Sequence, residues 1–122
     1  MMFAYELQRR VQAAGKSVQV QVCHPGASRT NLLKDTASSF NKIVWSILSR
    51  LIAQSAEKGS WPEVMCATEE ELESEKLYGP TKRTDMVGPV GECTLDNCAL
   101  DQEQAAKLWT LSEQKTSLSW SP

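Results

Sequence analysis

An excess of basic residues and a long apolar run are both missing from this sequence of 122 residues. Its 13 lysines and arginines are outnumbered by 15 aspartates and glutamates, and the net charge of -2 gives no electrostatic reason to bind nucleic acid or an anionic membrane. The longest apolar-rich stretch, residues 43–53, is interrupted by Ser46, Ser49 and Arg50 and is too short and polar to span a bilayer. No signal peptide is visible at the start either, so the sequence predicts a cytoplasmic protein without a transmembrane segment.

Histidine is represented once, by His24, and the four cysteines are scattered. The cysteines are Cys23, Cys66, Cys93 and Cys98. Because a structural zinc site needs four well-placed ligands, this set predicts no metal site, and free thiols in a reducing compartment are the favoured interpretation. His24 has no acid or nucleophile partner nearby in the sequence, so a structural role is favoured over a catalytic one.

The first third of the chain has the pattern of a helix, a strand and a loop, which is typical of α/β proteins. Apolar residues at helical spacing predict a helix that ends at Gly15. No capping residue precedes this helix, so we expect that its first turns are missing. Valines then alternate with polar residues over residues 17–23, which predicts a strand that stops at His24-Pro25-Gly26.

The middle of the chain predicts two helices. The first covers residues 38–53 and presents an apolar stripe with Trp45 at its margin. That stripe consists of Ile43, Val44, Ile47, Leu48, Leu51 and Ile52. Ser55 can cap the second helix, which should run to about Thr68, with Pro62 bending it or delaying its start.

The last third predicts one strand and one helix. Residues 76–80 read as a short strand that Gly79-Pro80 closes, and residues 81–99 read as irregular. Asp101 should cap the closing helix, with Gln104 in the capping-box position. The buried face of that helix is predicted to consist of Ala105, Leu108 and Leu111.

The ordered set of these pieces resembles the short-chain dehydrogenase/reductase family, with its retinol-dehydrogenase-like and protochlorophyllide-reductase-like members as the most similar subgroup. The resemblance is carried by segments 3–10, 24–32, 54–59, 78–80 and 108–113. It implies the C-terminal part of a Rossmann-type, doubly wound parallel sheet, rich in helix and with about two short strands. It also implies an NAD(P)-dependent oxidoreductase that moves a hydride between a nicotinamide and an alcohol or carbonyl carbon.

The resemblance divides the chain into four segments and suggests their roles. Residues 1–15 would be the end of the catalytic helix, 17–33 the strand and Pro-Gly cofactor loop, 36–68 the substrate-lid helices, and 75–122 the last strand, loop and C-terminal helix. The cofactor-binding positions carried over are Pro25, Gly26, Ala27 and Thr30. The positions carried over to the substrate lid are Ile43, Trp45 and Ile47.

Two features of that family's chemistry are not found in these residues. The six glycines form neither Gly-x-x-x-Gly-x-Gly nor Gly-x-Gly-x-x-Gly, the loop that holds a dinucleotide pyrophosphate. The family's proton donor is a tyrosine four residues before a lysine. Tyr5 is followed by Arg9, and Gly79-Pro80 interrupts the helix that would join Tyr78 to Lys82. The prediction is therefore a truncated chain with no catalytic residue of its own, inactive in isolation.

A hypothesis from a different functional class stays open beside this one. The chain could be a non-catalytic interaction protein that binds a full-length relative or another partner, including a second copy of itself. Its binding surface would be the apolar face of Phe3, Leu7 and Val11, together with the helix around Ile43.

Overall fold

A computed structural model describes residues 1–28 and 53–121. The chain divides into two compact units. We call residues 1–22, 71–76 and 95–122 the helical unit, and residues 23–70 and 77–94 the sheet unit. The elements of the described residues are α1 (Met2–Ala13), β1 (Val22–Cys23), α2 (Ala56–Thr68), β2 (Leu77–Lys82), β3 (Val87–Glu92), a 3₁₀ helix (Asn97–Leu100) and α3 (Gln102–Thr116).

Helix α1 ends where the sequence predicts. Its last residue is Ala13, and Gly15 has a φ of 66°. The amide of Lys16 donates to the carbonyl oxygen of Val11 at 3.0 Å, so the left-handed glycine lets the chain satisfy a carbonyl group of the last turn. At the other end, Met1 provides no side-chain cap.

Helix α3 begins with the predicted cap, but it buries a different face. The Asp101 carboxylate accepts a hydrogen bond from the Gln104 amide at 3.0 Å. Ala105 is fully buried and Trp109 is 4% exposed, whereas Leu108 and Leu111 are 38% and 49% exposed. The prediction that these two leucines are buried was therefore wrong. The buried face of α3 runs through Ala105 and Trp109, which lie four residues apart on one side of the helix. Trp109 takes the buried position because its indole offers more apolar surface to bury than either leucine.

Helix α3 also packs against part of the apolar face of α1. The ring of Phe3 stacks on Trp109 with 4.7 Å between the ring centroids, and Val11 is buried. The guanidinium of Arg10 lies 4.5 Å from the centroid of the Trp109 ring. Of the α1 residues on which the interaction hypothesis rests, Val11 is therefore buried, whereas Leu7 is half-buried and Phe3 remains 41% exposed.

Strand β1 is shorter than predicted. The alternating valines of residues 17–23 predict seven strand residues, but only Val22–Cys23 forms strand. The residues before β1 form hydrogen bonds outside the sheet. The backbone amide of Val20 donates to Oε1 of Gln8, and the side chain of Gln21 donates to the carbonyl oxygen of Leu72. Both contacts lie within the helical unit, so alternation alone overestimates this strand.

The sheet has three strands in the order β1-β2-β3, one more than the sequence indicates. Strands β2 and β3 form an antiparallel hairpin in which Tyr78 pairs with Glu92 and Pro80 with Val90. The prediction that residues 81–99 are irregular was therefore wrong for β3. Gly79-Pro80 does not end the strand, because Pro80 lies within β2 beside a register shift that separates it from Lys82.

Helix α2 follows the prediction. The hydroxyl oxygen of Ser55 accepts a hydrogen bond from the Lys58 amide at 3.2 Å, and the helix ends at Thr68. Pro62 lies inside the helix and is buried. The predicted helix over residues 38–53 lies almost wholly outside the described residues, which resume at residue 53.

Candidate functional site

The loop that follows β1, residues 24–28, is held by backbone hydrogen bonds to the β2–β3 hairpin. The His24 amide donates to the Tyr78 carbonyl oxygen at 2.9 Å. Three residues later, the Ala27 amide donates to the Met86 carbonyl oxygen at 2.7 Å. These two hydrogen bonds hold the Pro25-Gly26 turn against the neighbouring hairpin on both sides. The turn is therefore rigid and not a free loop.

Gly26 is required in this loop for two reasons. Its φ of 62° lies in the left-handed region, which costs other residues roughly 1–2 kcal/mol. In addition, a Cβ at this position would overlap the Met86 carbonyl oxygen and the Pro80 ring. The absence of a side chain therefore lets the loop backbone lie directly against the hairpin.

His24 is used to build the loop. Its Nδ1 accepts a hydrogen bond from the Gly26 amide at 3.2 Å. The ring lies against Gly79, where an added Cβ would overlap it. These contacts support the structural role that the sequence favours for this histidine.

Gln54 holds the loop in place, a contact that sequence reasoning missed. It is 8% exposed. Its backbone amide donates to the Ala27 carbonyl oxygen at 2.9 Å, and its side-chain Nε2 donates to the Pro25 carbonyl oxygen at 3.0 Å. The Ser28 hydroxyl donates to the same Pro25 oxygen at 2.8 Å. Gln54 thus joins the loop to the start of α2. A glutamine before a helix is not a pattern that predicts such a contact, so nothing in the sequence indicated it.

The predicted cofactor residues Pro25, Gly26 and Ala27 all lie in this loop, next to one another in sequence. The N–H and C=O groups of Ala27 both have partners inside the fold. Thr30, the fourth cofactor-binding position, lies outside the described residues. The substrate-lid positions Ile43, Trp45 and Ile47 lie outside them as well.

Both tyrosines of the chain are buried. Tyr5 is fully buried, and its hydroxyl donates to the Lys76 carbonyl oxygen at 3.0 Å. Burial, and secondly the negative charge of Glu75, raise the pKa of Tyr5 above its ordinary value, away from the neutral range that a general acid or base needs. Tyr78 is buried in β2.

Replacing Gln54 by alanine should lower the free energy of unfolding by about 2 kcal/mol, because a buried hydrogen bond to Pro25 is lost and a cavity forms. Urea denaturation followed by circular dichroism measures this change. Gln114→Ala, on the exposed side of α3, is the matched control and should change stability by less than about 0.5 kcal/mol. Equal effects of the two substitutions would show that Gln54 does not hold the loop.

No helix among residues 1–28 and 53–121 has both the length and the apolar character needed to cross a membrane. Within the same residues, no three side chains of histidine, cysteine, aspartate or glutamate converge as metal ligands would.

Comparison with known proteins gives relatives along almost the entire chain. It is 32% identical to human retinol dehydrogenase 13 over 97% of its own length and 34% of that protein. It is 28% identical to human retinol dehydrogenase 14 over 93% of its own length and 31% of that protein. The chain therefore spans about a third of the length of these relatives. No family model matches the sequence.

A solved structure has the same fold. The crystal structure of an uncharacterized protein from Mycobacterium paratuberculosis superposes with a TM-score of 0.68 and 30% sequence identity, covering 99% of this chain and 37% of that one. The predicted α/β class, part of a Rossmann-like fold, is thereby confirmed. Over nearly all of its residues the chain is homologous to two retinol dehydrogenases, members of the short-chain dehydrogenase/reductase family, as the resemblance in its sequence implies.

Proposed function

We propose that this chain supplies the nicotinamide-facing loop and the substrate-side helices of an NAD(P)-dependent oxidoreductase acting on an alcohol or carbonyl substrate. The observation that supports it is the rigid Pro25-Gly26 turn directly after a sheet strand. In α/β proteins, ligands bind in the crevice beyond the carboxyl ends of the strands. A loop without side-chain bulk at that place lets backbone groups reach a planar amide.

The contacts of the loop indicate which groups would face the cofactor. The Pro25 carbonyl oxygen accepts from Ser28 and Gln54, and both backbone groups of Ala27 are engaged. We therefore expect the nicotinamide amide to contact the Gly26 carbonyl and the Ser28 amide. Thr30 would add a hydroxyl to the amide or to a phosphate, as the family resemblance implies.

The remaining catalytic parts are not found among these residues. The sequence has no glycine-rich phosphate loop, and no tyrosine stands four residues before a lysine on one helix. Tyr78 and Lys82 have that spacing, but both lie in strand β2. We therefore propose that the dinucleotide cradle and the proton donor come from residues beyond these 122, and that the chain by itself does not turn over.

An apolar alcohol or its carbonyl counterpart is the substrate class we propose, because the relatives are named retinol dehydrogenases. The predicted lid positions Ile43, Trp45 and Ile47 would then meet an apolar substrate. A nicotinamide dinucleotide, NADP or NAD, would serve as cofactor only when bound to a complete domain.

A segment exchange tests the proposal. In human retinol dehydrogenase 13, the matching third is replaced by this chain. Nicotinamide-dependent interconversion of retinol and retinal is then measured, after cooperative thermal unfolding shows that the chimera is folded. We expect turnover, and we expect Thr30→Val in the chimera to raise the KM for the cofactor about tenfold, since one hydrogen bond to a ligand is lost. A folded chimera without activity, or a Thr30→Val variant with unchanged kinetics, would contradict the proposal.

A further inference from the structure

Two of the four cysteines belong to elements of the sheet unit. Cys23 is the last residue of β1, directly before the His24–Ser28 loop, and Cys66 lies near the end of α2. Both thiols are free and half-buried. They are 43 residues apart in the sequence, so only the fold can bring them together.

The packing of α2 places Cys66 opposite β1. Gly59, Pro62 and Cys66 follow one another at steps of three and four residues, which puts them on one face of the helix. Gly59 and Pro62 are the buried residues of α2. Gly59 lies against the loop after β1, because a Cβ there would overlap the Ser28 side chain and come within 3.7 Å of the Pro25 Cβ.

Distances along the two elements agree with this placement. Seven helical residues from Gly59 to Cys66 span about 10 Å at a rise of about 1.5 Å per residue. From Pro25 back to Cys23, two residues span at most roughly 7 Å. These spans allow α2 to bring Cys66 next to Cys23, and the Cys23 thiol lies near enough to Cys66 to raise its pKa.

We propose that Cys23 and Cys66 form a reversible disulfide when the chain meets a low-molecular-weight disulfide such as glutathione disulfide, and that this bond ties β1 to α2 beside the Pro25-Gly26 loop. The Cys23 thiolate attacks one sulfur of glutathione disulfide, and a glutathione thiolate leaves. The Cys66 thiolate then attacks the Cys23 sulfur of the mixed disulfide, and a second glutathione thiolate leaves. The two cysteines are oxidised with loss of two protons, and one glutathione disulfide is reduced to two thiols.

The environment of Cys66 sets the order of these steps. Burial, and secondly the nearby Cys23, raise the pKa of the Cys66 thiol to about 11. Because the thiolate is the nucleophile in exchange, Cys66 reacts little with external disulfides at neutral pH. It becomes effective only when the mixed disulfide on Cys23 is placed beside it.

The test uses the 122-residue chain with Cys93→Ser and Cys98→Ser, which leaves only the proposed pair. In glutathione redox buffers under native conditions, we expect an intact mass lowered by about 2 Da, as loss of two thiol hydrogens requires, and a linked peptide that joins Cys23 to Cys66. The matched control carries Cys23→Ser and Cys66→Ser, and we expect it to give only glutathione adducts.

The equilibrium constant for forming the bond should fall at least about tenfold in urea, because the native fold holds the thiols together. Two glutathione adducts on the folded Cys93→Ser, Cys98→Ser chain would overturn the proposal, as would a bond that forms equally well in urea. If the serine substitutions prevent folding, peptide mapping of the unmodified chain decides instead, and it must show the Cys23–Cys66 linkage. The proposal does not depend on the oxidoreductase function.

Discussion

Gly26→Ala is expected to destabilise the sheet unit by at least about 3 kcal/mol. A left-handed φ costs an alanine roughly 1–2 kcal/mol, and the overlap of its Cβ with the Met86 carbonyl oxygen and the Pro80 ring adds a further loss of packing. Because Met86 is in the hairpin turn and Pro80 is in β2, the loop cannot move away without breaking its hydrogen bond to the hairpin. Urea denaturation measured by circular dichroism gives the change.

Gly15→Ala provides the matched control for Gly26→Ala. Gly15 has nearly the same φ, 66°, but nothing lies within 4 Å of the position that a Cβ would occupy. Its substitution should cost only about 1 kcal/mol, the backbone penalty alone. Equal losses of stability for the two variants would show that Gly26 is not in contact with the hairpin. They would contradict the description of the loop as rigid.

Trp109→Ala is expected to lower the free energy of unfolding of the helical unit by about 3–5 kcal/mol, as for other large buried aromatic residues. The indole is buried between Phe3, at 4.7 Å, and Trp120, at 5.5 Å between ring centroids. Its loss also removes the cation–π contact with Arg10. Thermal unfolding and urea denaturation both measure the effect.

Trp61→Ala is the matched control for Trp109→Ala, because it removes the same kind of side chain from the surface of a helix. Trp61 is 42% exposed, and its aromatic ring has a cation at 5.8 Å, Nζ of Lys58. Trp61→Ala should therefore cost less than about 1 kcal/mol. If both tryptophans prove equally important, the packing of α1 against α3 does not hold the helical unit together.

The helix ends could be predicted because their signals are local. Ser55 and Asp101 each bond to a backbone amide three residues later, and Gly15 adopts the left-handed conformation just past α1. Each signal needs only a few neighbouring residues, so no knowledge of the rest of the fold is required.

The strands were harder to predict because their pairing is set by distant residues. The hairpin turn places Arg83, Thr84 and Asp85 at positive φ without the Asn-Gly or Asp-Gly pair that marks such turns. Pro80 stands inside a paired strand, which proline statistics disfavour. Both features argued against a hairpin, and residues 87–92 contain no local pattern that predicts strand β3.

The candidate site shows the same division. The turn at Pro25 and Gly26 was predicted, because a proline and a glycine after a strand suit a tight turn, whereas the cofactor role that the family resemblance gives them stays a prediction. Gln54 was missed, since its hydrogen bond to Pro25 joins residues 29 apart in the sequence. The exposed Leu108 was mistaken for core because helical spacing defines a face but not its rotation toward a neighbour.

Titration of the 122-residue chain with NADPH is the most direct test of the central claim, that these residues hold a nicotinamide-side loop but neither a phosphate cradle nor a proton donor. Isothermal calorimetry should show no saturable binding tighter than about 1 mM, and no NADPH should be consumed when an aldehyde such as retinal is added. Micromolar binding with oxidation of NADPH by the purified chain would contradict the claim.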